Sequence, residues 1–315
     1  PMPSVWAVDS IPKHSIRIIY YKRHLRLMKS WRTLLIFGLS FPVFYFISRR
    51  LPLVAFSTEV VTLMLTIIGI LFGLIVSFYI SGLWNRHVLM RELMAGHSAA
   101  MQNVVKYVDT FSHNERFKSK IRKFIEEYVI SCISIDVVEQ EKSTPYLYKI
   151  YDTLKMIQVK KETDSVILNR LSNSLEVVSA TGQKIFIIGK ESLGSAEWIL
   201  ISSLSIAIVV STFLQRTTDP ITMVLPTIFP PIILLIFFII YDLDNLNLNE
   251  GVIFIEPDEQ ILDALGVERY YRSKDVNERR VDVKLLPKKY RIEKDLPHNL
   301  MEVYKTVTDS KYYNY

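Results

Sequence analysis

Residues Val60–Trp84 read VVTLMLTIIGILFGLIVSFYISGLW, and this stretch decides the fold. It holds no charged residue, and at a rise of about 1.5 Å per residue it is long enough to cross a hydrocarbon core of about 30 Å as a helix. Gly69, Gly73, Ser77 and Ser81 recur every four residues and form a ladder of small side chains along one face. In lipid, where packing rather than hydrophobicity drives helix association, such ladders let two backbones approach closely. The row beside the ladder is Thr66, Ile70, Leu74 and Phe78, medium-sized and mostly apolar. A helix that is smooth on one face and lined on the next suits repetition around an axis. The same row could equally face lipid or another helix of the chain.

Composition agrees with a membrane protein that has substantial aqueous parts: 315 residues, half of them hydrophobic, with a net charge of +6 and a mean hydropathy of +0.21. The single cysteine, Cys132, excludes an intramolecular disulfide and any zinc site built from several thiolates. It reads as an ordinary apolar helix residue.

Upstream, Lys13 to Arg32 carries seven Lys or Arg and no acid, interleaved with Ile16, Ile18, Ile19, Leu25 and Leu27. Residues 1–30 therefore read as a basic interfacial segment that keeps the N-terminus cytoplasmic. They lack the apolar core and cleavage site of a secretory signal. Because the stretch abuts a membrane helix, nucleic acid is not expected as a partner. Residues 31–84 form a transmembrane hairpin, with the first span Trp31–Ser48 containing Pro42 and followed by Arg49 and Arg50. Those two arginines either snorkel to lipid phosphates or ring an outer vestibule and attract anions.

Downstream of Trp84 the helix continues. Met90, Met94, His97, Met101, Val104, Val108 and Phe111 fall at alternating spacings of four and three, a heptad-like seam. His97 on that seam reads as a packed residue rather than a ligand. Residues 85–192 form a cytoplasmic helical domain. One helix runs from Glu115 to Asp136. A second, opened by Thr144–Pro145, turns Tyr148, Tyr151, Leu154 and Ile157 inward, and a third runs from Asp164 to about Ile188. Residues 193–242 form a second hairpin, Ala196–Leu214 and then Pro220 to near Tyr241, with Pro226, Pro230 and Pro231 making the fourth span bent or interior. Residues 243–315 then hold a strand pattern VIFIEP, a helix DEQILDALG capped by Asp258 and closed by Gly266, and a charged tail of little periodicity. The predicted fold class is an all-α membrane protein of four spans with both termini cytoplasmic, suited to a prokaryotic inner membrane.

Four segments carry a family resemblance: SIRIIYYKRHLRLMKSW before the first span, GLIVSFYISGLWNR in the second, the inserted helical block, and LDNLNLNEGVIFIEP at the exit of the fourth. Together they resemble the bestrophins and, more closely, the bestrophin-like domain family. The resemblance implies a pentameric homo-oligomer in lipid, conducting inorganic anions such as chloride through a hydrophobic constriction on the second span. That constriction falls on Thr66, Ile70 and Leu74, and Thr66 departs from the bulky family pattern, implying a wider or wetter gate. Some bestrophins sense calcium with acids after the last span. The resemblance would place Ca2+ at Asp242, Asp244 and Glu250, although polar turns at helix exits look alike. Otherwise no cofactor is expected.

There is no HExxH, no phosphate-binding glycine loop and no G-x-S-x-G elbow, so an enzyme is not expected. The alternative to a channel is a non-conducting membrane scaffold or sensor that recruits partners through its cytoplasmic helices and tail.

Overall fold

The computed structural model describes residues 35–50, 58–111, 115–135, 141–156, 162–215, 224–246, 254–273, 289–293 and 304–306. Its helices are α1 (residues 35–50), α2 (Thr58–Thr110), α3 (Glu115–Ser134), α4 (Thr144–Lys155), α5 (Glu162–Lys190), α6 (Ser195–Leu214), α7 (Leu225–Asp244) and α8 (Glu256–Leu265). Three strands follow, β1 (Arg269–Tyr271), β2 (Tyr290–Glu293) and β3 (Tyr304–Thr306). Among the described residues α2, α6 and α7 are long and apolar enough to cross a membrane. Helix α1 includes Arg49 and Arg50 in its last turn instead of ending before them.

The chain forms two compact units, Pro1–Ile80 with Gly194–Asp242, and Ser81–Leu193 with Leu243–Tyr315. In the first unit, the Gln215 side-chain amide at the end of α6 donates to Thr62 Oγ1 at 2.9 Å, near the start of α2. Trp198, near the start of α6, meets Phe237, late in α7, at 6.0 Å between ring centroids. Helix α6 therefore runs antiparallel to both neighbours. Its buried stripe is Ile201, Ser205, Ile208 and Thr212. The hydroxyls of Ser205 and Thr212 donate to carbonyls of their own helix, at 2.7 Å each, so no polar hydrogen is stranded. Pro226, Pro230 and Pro231 all lie on the buried side of α7, which stays helical through the pair inside it. Neighbouring helices thus shield the backbone that proline leaves unpaired.

In the second unit the seam of α2 behaves as its spacing dictates. Met90, Met94, His97, Met101, Val104, Val108 and Phe111 are all buried. The lower part of the seam packs with Ile121, Ile125 and Tyr128 of α3, Ile150 of α4, Leu171, Leu175 and Val178 of α5, and Ile261 and Leu262 of α8. Met90 and Met94 join Ile185 and Leu246 in a separate cluster.

Four local expectations are corrected. On α4 the inward residues are Leu147, Ile150 and Leu154, while Tyr148 is 61% exposed, its ring tip finding water; Ile157 lies outside the described residues. The N-cap of α4 is Ser143 rather than Thr144, with Pro145 in the first turn. Phe254 and Ile255 form a wide helical turn leading into α8 and not a strand, and Asp258 sits buried inside the first turn with Ile255 at the cap position. Gly266 does close α8 in the left-handed conformation (φ 67°). Its N–H bonds Asp263 O and the Val267 N–H reaches back to Leu262 O, a Schellman arrangement. Finally, the tail is not purely helical or irregular: β1 pairs parallel with β2, and β2 antiparallel with β3.

Candidate functional site

On the apolar part of α2, up to Ile80, the buried side chains are Val61, Phe72 and Val76. The row beside them is turned away: Ile70 is 59% exposed, Leu74 53% and Phe78 75%, and Thr66 is exposed as well. The ladder is open too. A Cβ built on Gly69 or Gly73 would meet no atom within 4 Å, and Ser77 and Ser81 are exposed. Among the described residues, therefore, no helix closes over the glycines of the smooth face or buries the lined row. At about 1.5 Å per residue the row from Thr66 to Phe78 is about 18 Å long, too large an apolar stripe to be left to water. The Thr66 hydroxyl donates to Thr62 O at 2.8 Å, which commits its hydrogen to the backbone of its own helix and leaves the oxygen of this exposed residue to act as an acceptor.

Arg49 and Arg50 are exposed at the end of α1. Of the three acids named for calcium, Glu250 lies outside the described residues. Asp244 is already committed: its Oδ1 accepts the Leu193 N–H at 2.8 Å and faces the Arg86 guanidinium at 3.8 Å. A guanidinium that close repels a divalent cation, so this carboxylate does not suit a calcium ligand. Among the described residues no group of three His, Cys, Asp or Glu could hold a metal ion.

Arg86 is the residue that spacing alone does not reveal. It lies two residues past Trp84, its side chain 9% exposed. Nε donates to Ile188 O at 2.9 Å, one terminal nitrogen to Gly189 O at 3.3 Å, and the other to Asp244 O at 2.8 Å. These carbonyls close α5 and α7, where the last turn of a helix has no intrahelical donors. One planar guanidinium thus ties the exit of the apolar stretch of α2 to the ends of two other helices, a task a lysine cannot match. Burial lowers the Arg86 pKa, and the charges of Asp244 and Glu191 oppose that shift.

Further along α2 a polar group is embedded in the seam. His97 Nδ1 lies 3.1 Å from Thr181 Oγ1 on α5, and Nε2 lies 3.2 Å from Tyr128 OH on α3. At the next residue, the Ser98 hydroxyl donates to Pro257 O at 2.7 Å, clipping the start of α8 to α2. Burial pushes His97 down to about 4. Burial, helped by the charge of Glu259, pushes Asp258 up to about 8.

The two shifts have opposite linkage. From about pH 4 to 6.5 the unfolded chain takes up a proton at His97 that the folded chain refuses, so this term raises stability with pH. From 3.8 to about 8 the folded chain holds a proton on Asp258 that the unfolded chain has lost, so that term lowers it. The two contributions cancel between about pH 4 and 6.5, and between pH 6.5 and 8 the Asp258 contribution to stability falls by about 1.4 kcal/mol per pH unit. Denaturation midpoints against pH will show this decline, and in Asp258→Asn the decline disappears while a rise emerges between pH 4 and 6.5. An unchanged profile in the variant contradicts the assignment.

Residues 34–246 match the family model of the bestrophin-like domain. No functionally curated protein matches the chain. Among solved structures, a crystal structure of a point variant of a bacterial bestrophin homologue from Klebsiella pneumoniae superposes with a TM-score of 0.54 at 11% identity, covering 76% of this chain and 98% of that one. A crystal structure of a variant described as a membrane protein gives a TM-score of 0.56 at 12% identity, covering 75% of this chain and 98% of that one. At such identity the likeness is one of fold. The family match takes in α1, α2, the helical block and the exit of α7 where Asp244 meets Arg86, and by it the chain belongs to the bestrophin-like family.

Proposed function

We propose that this protein is an oligomeric ion channel of the bestrophin type, in which copies of α2 surround a common axis and small inorganic anions, chloride first, pass between them. The observation that carries the reading is the pairing on α2: an open ladder at Gly69, Gly73, Ser77 and Ser81 beside the outward row Thr66, Ile70, Leu74 and Phe78. Ladder contacts between copies bring the rods together, and the neighbouring rows then face a shared conduit. A pentamer follows the bestrophin pattern. The proposed layout has four spans (α1, the outer half of α2, α6 and α7), with the helical block, both termini and the α8–strand region on the cytoplasmic side. Arg49 and Arg50 then lie at the outer end.

Ile70 and Leu74 form the apolar constriction, which opposes ions by excluding water. Chloride efflux from reconstituted vesicles tests this. Wild-type protein should release chloride, and the Ile70→Ala/Leu74→Ala variant should release it several-fold faster because a wider constriction wets more readily. Absence of efflux from both proteins contradicts the reading.

A further inference from the structure

Resting on that reading, we infer that Glu59 and Thr66 are the groups at which the conduit discriminates between ions, and that they draw its preference toward cations. From Thr58 to Trp84 the sole charged side chain is Glu59, exposed in the first turn of α2. Seven residues separate it from Thr66, two helical turns to within about 20°, so the carboxylate stands on the same side of the rod as the row. Any ion that reaches Ile70 and Leu74 from this end passes Glu59 and then Thr66. Among the described residues Glu59 forms no ion pair.

Thr66 adds the same polarity. Its hydroxyl hydrogen is spent on Thr62 O at 2.8 Å, so what this exposed residue has left to offer is an acceptor. An anion shedding water needs donors, whereas a cation needs acceptors, and repetition around an axis multiplies whichever is offered. The row offers acceptors. Nothing of opposite sign on α2 offsets this: its nearest cation inward is Arg86, twenty residues beyond Thr66, with its guanidinium bonded to three carbonyls. Arg49 and Arg50, on α1, are the counterweight at the outer end. The conduit thus passes chloride without excluding sodium.

Zero-current potentials in planar bilayers under a sodium chloride gradient test the inference. Wild-type protein should fall short of the chloride equilibrium potential. Glu59→Gln should lower the sodium-to-chloride permeability ratio by at least about threefold at low salt, through loss of the field that concentrates cations at the mouth. That effect should fade near 1 M salt, where charges are screened within about 3 Å. Thr66→Val, which keeps the shape and removes the oxygen, should lower the ratio at both salt levels. Currents whose ratio is the same in wild type and both variants overturn the inference while leaving the channel reading intact. Absence of current in all three overturns the channel reading itself.

Discussion

Replacing Arg86 by alanine should cost the fold about 3–5 kcal/mol, the range found when one partner of a buried charge pair is removed. The reason is local. Without the guanidinium, the carbonyls of Gly189 and Asp244 lose its N–H groups, the Ile188 carbonyl is left with the longer bond from the Glu191 N–H at 3.3 Å, and the Asp244 carboxylate keeps the Leu193 N–H. Each group stays largely shielded from water, so little solvent can take the donor's place. Arg86→Lys should recover a minor part of the loss, since an ammonium cannot reach three divergent acceptors in one plane. Denaturant unfolding of the detergent-solubilised protein measures both variants. An Arg86→Ala protein as stable as wild type would show that these contacts carry no weight.

The second large effect should leave the single chain untouched. Gly69→Leu/Gly73→Leu places two bulky side chains where an added Cβ meets nothing within 4 Å of its own chain. Among the described residues nothing therefore obstructs the start of either side chain. Between copies the same positions are proposed to be the points of closest approach, and overpacking a tight contact costs about 1–3 kcal/mol at each site. Summed around a ring, that should dissociate the assembly. Light scattering should show the particle mass falling to that of one chain, with helical content unchanged. A variant that keeps the wild-type mass removes the ladder from the proposed interface.

Much of this arrangement is legible in the sequence wherever a long period is involved. The seam from Met90 to Phe111 announces itself through seven residues at spacings of four and three, and all seven are buried. The continuation of α2 past Trp84 follows from the same pattern, because no proline intervenes before Thr110 and the seam runs unbroken past Gly96. Short or non-local features leave weaker traces. On α4, Leu147, Tyr148, Ile150, Tyr151 and Leu154 fit two overlapping helical stripes, and burial on α3 selects the one without Tyr148.

The strands have only three or four residues each, β1 and β2 pairing 21 positions apart and β2 and β3 between 11 and 15 apart, so no local alternation marks them. VIFIEP has strand composition, yet Pro257 takes a first-turn position of α8 and Phe254 and Ile255 before it are helical, while Val252 and Ile253 lie outside the described residues. Arg86 is invisible to motif reading because its partners are backbone carbonyls more than a hundred positions away. Asp258 resembles an N-cap by residue type, but its burial inside the first turn comes from packing that no spacing encodes. The outward row and the ladder were legible as patterns of size. Which surface covers them is a property of the assembly rather than of one chain.

The most direct test of the central claim is a rotationally averaged density of the solubilised particle by electron cryo-microscopy. The account predicts a closed ring, five-fold by the bestrophin pattern, with the α2 helices innermost and Thr66, Ile70 and Leu74 of every copy turned to the axis. A monomer or dimer, or a ring in which those three side chains face detergent, would contradict it and favour a membrane scaffold that does not conduct.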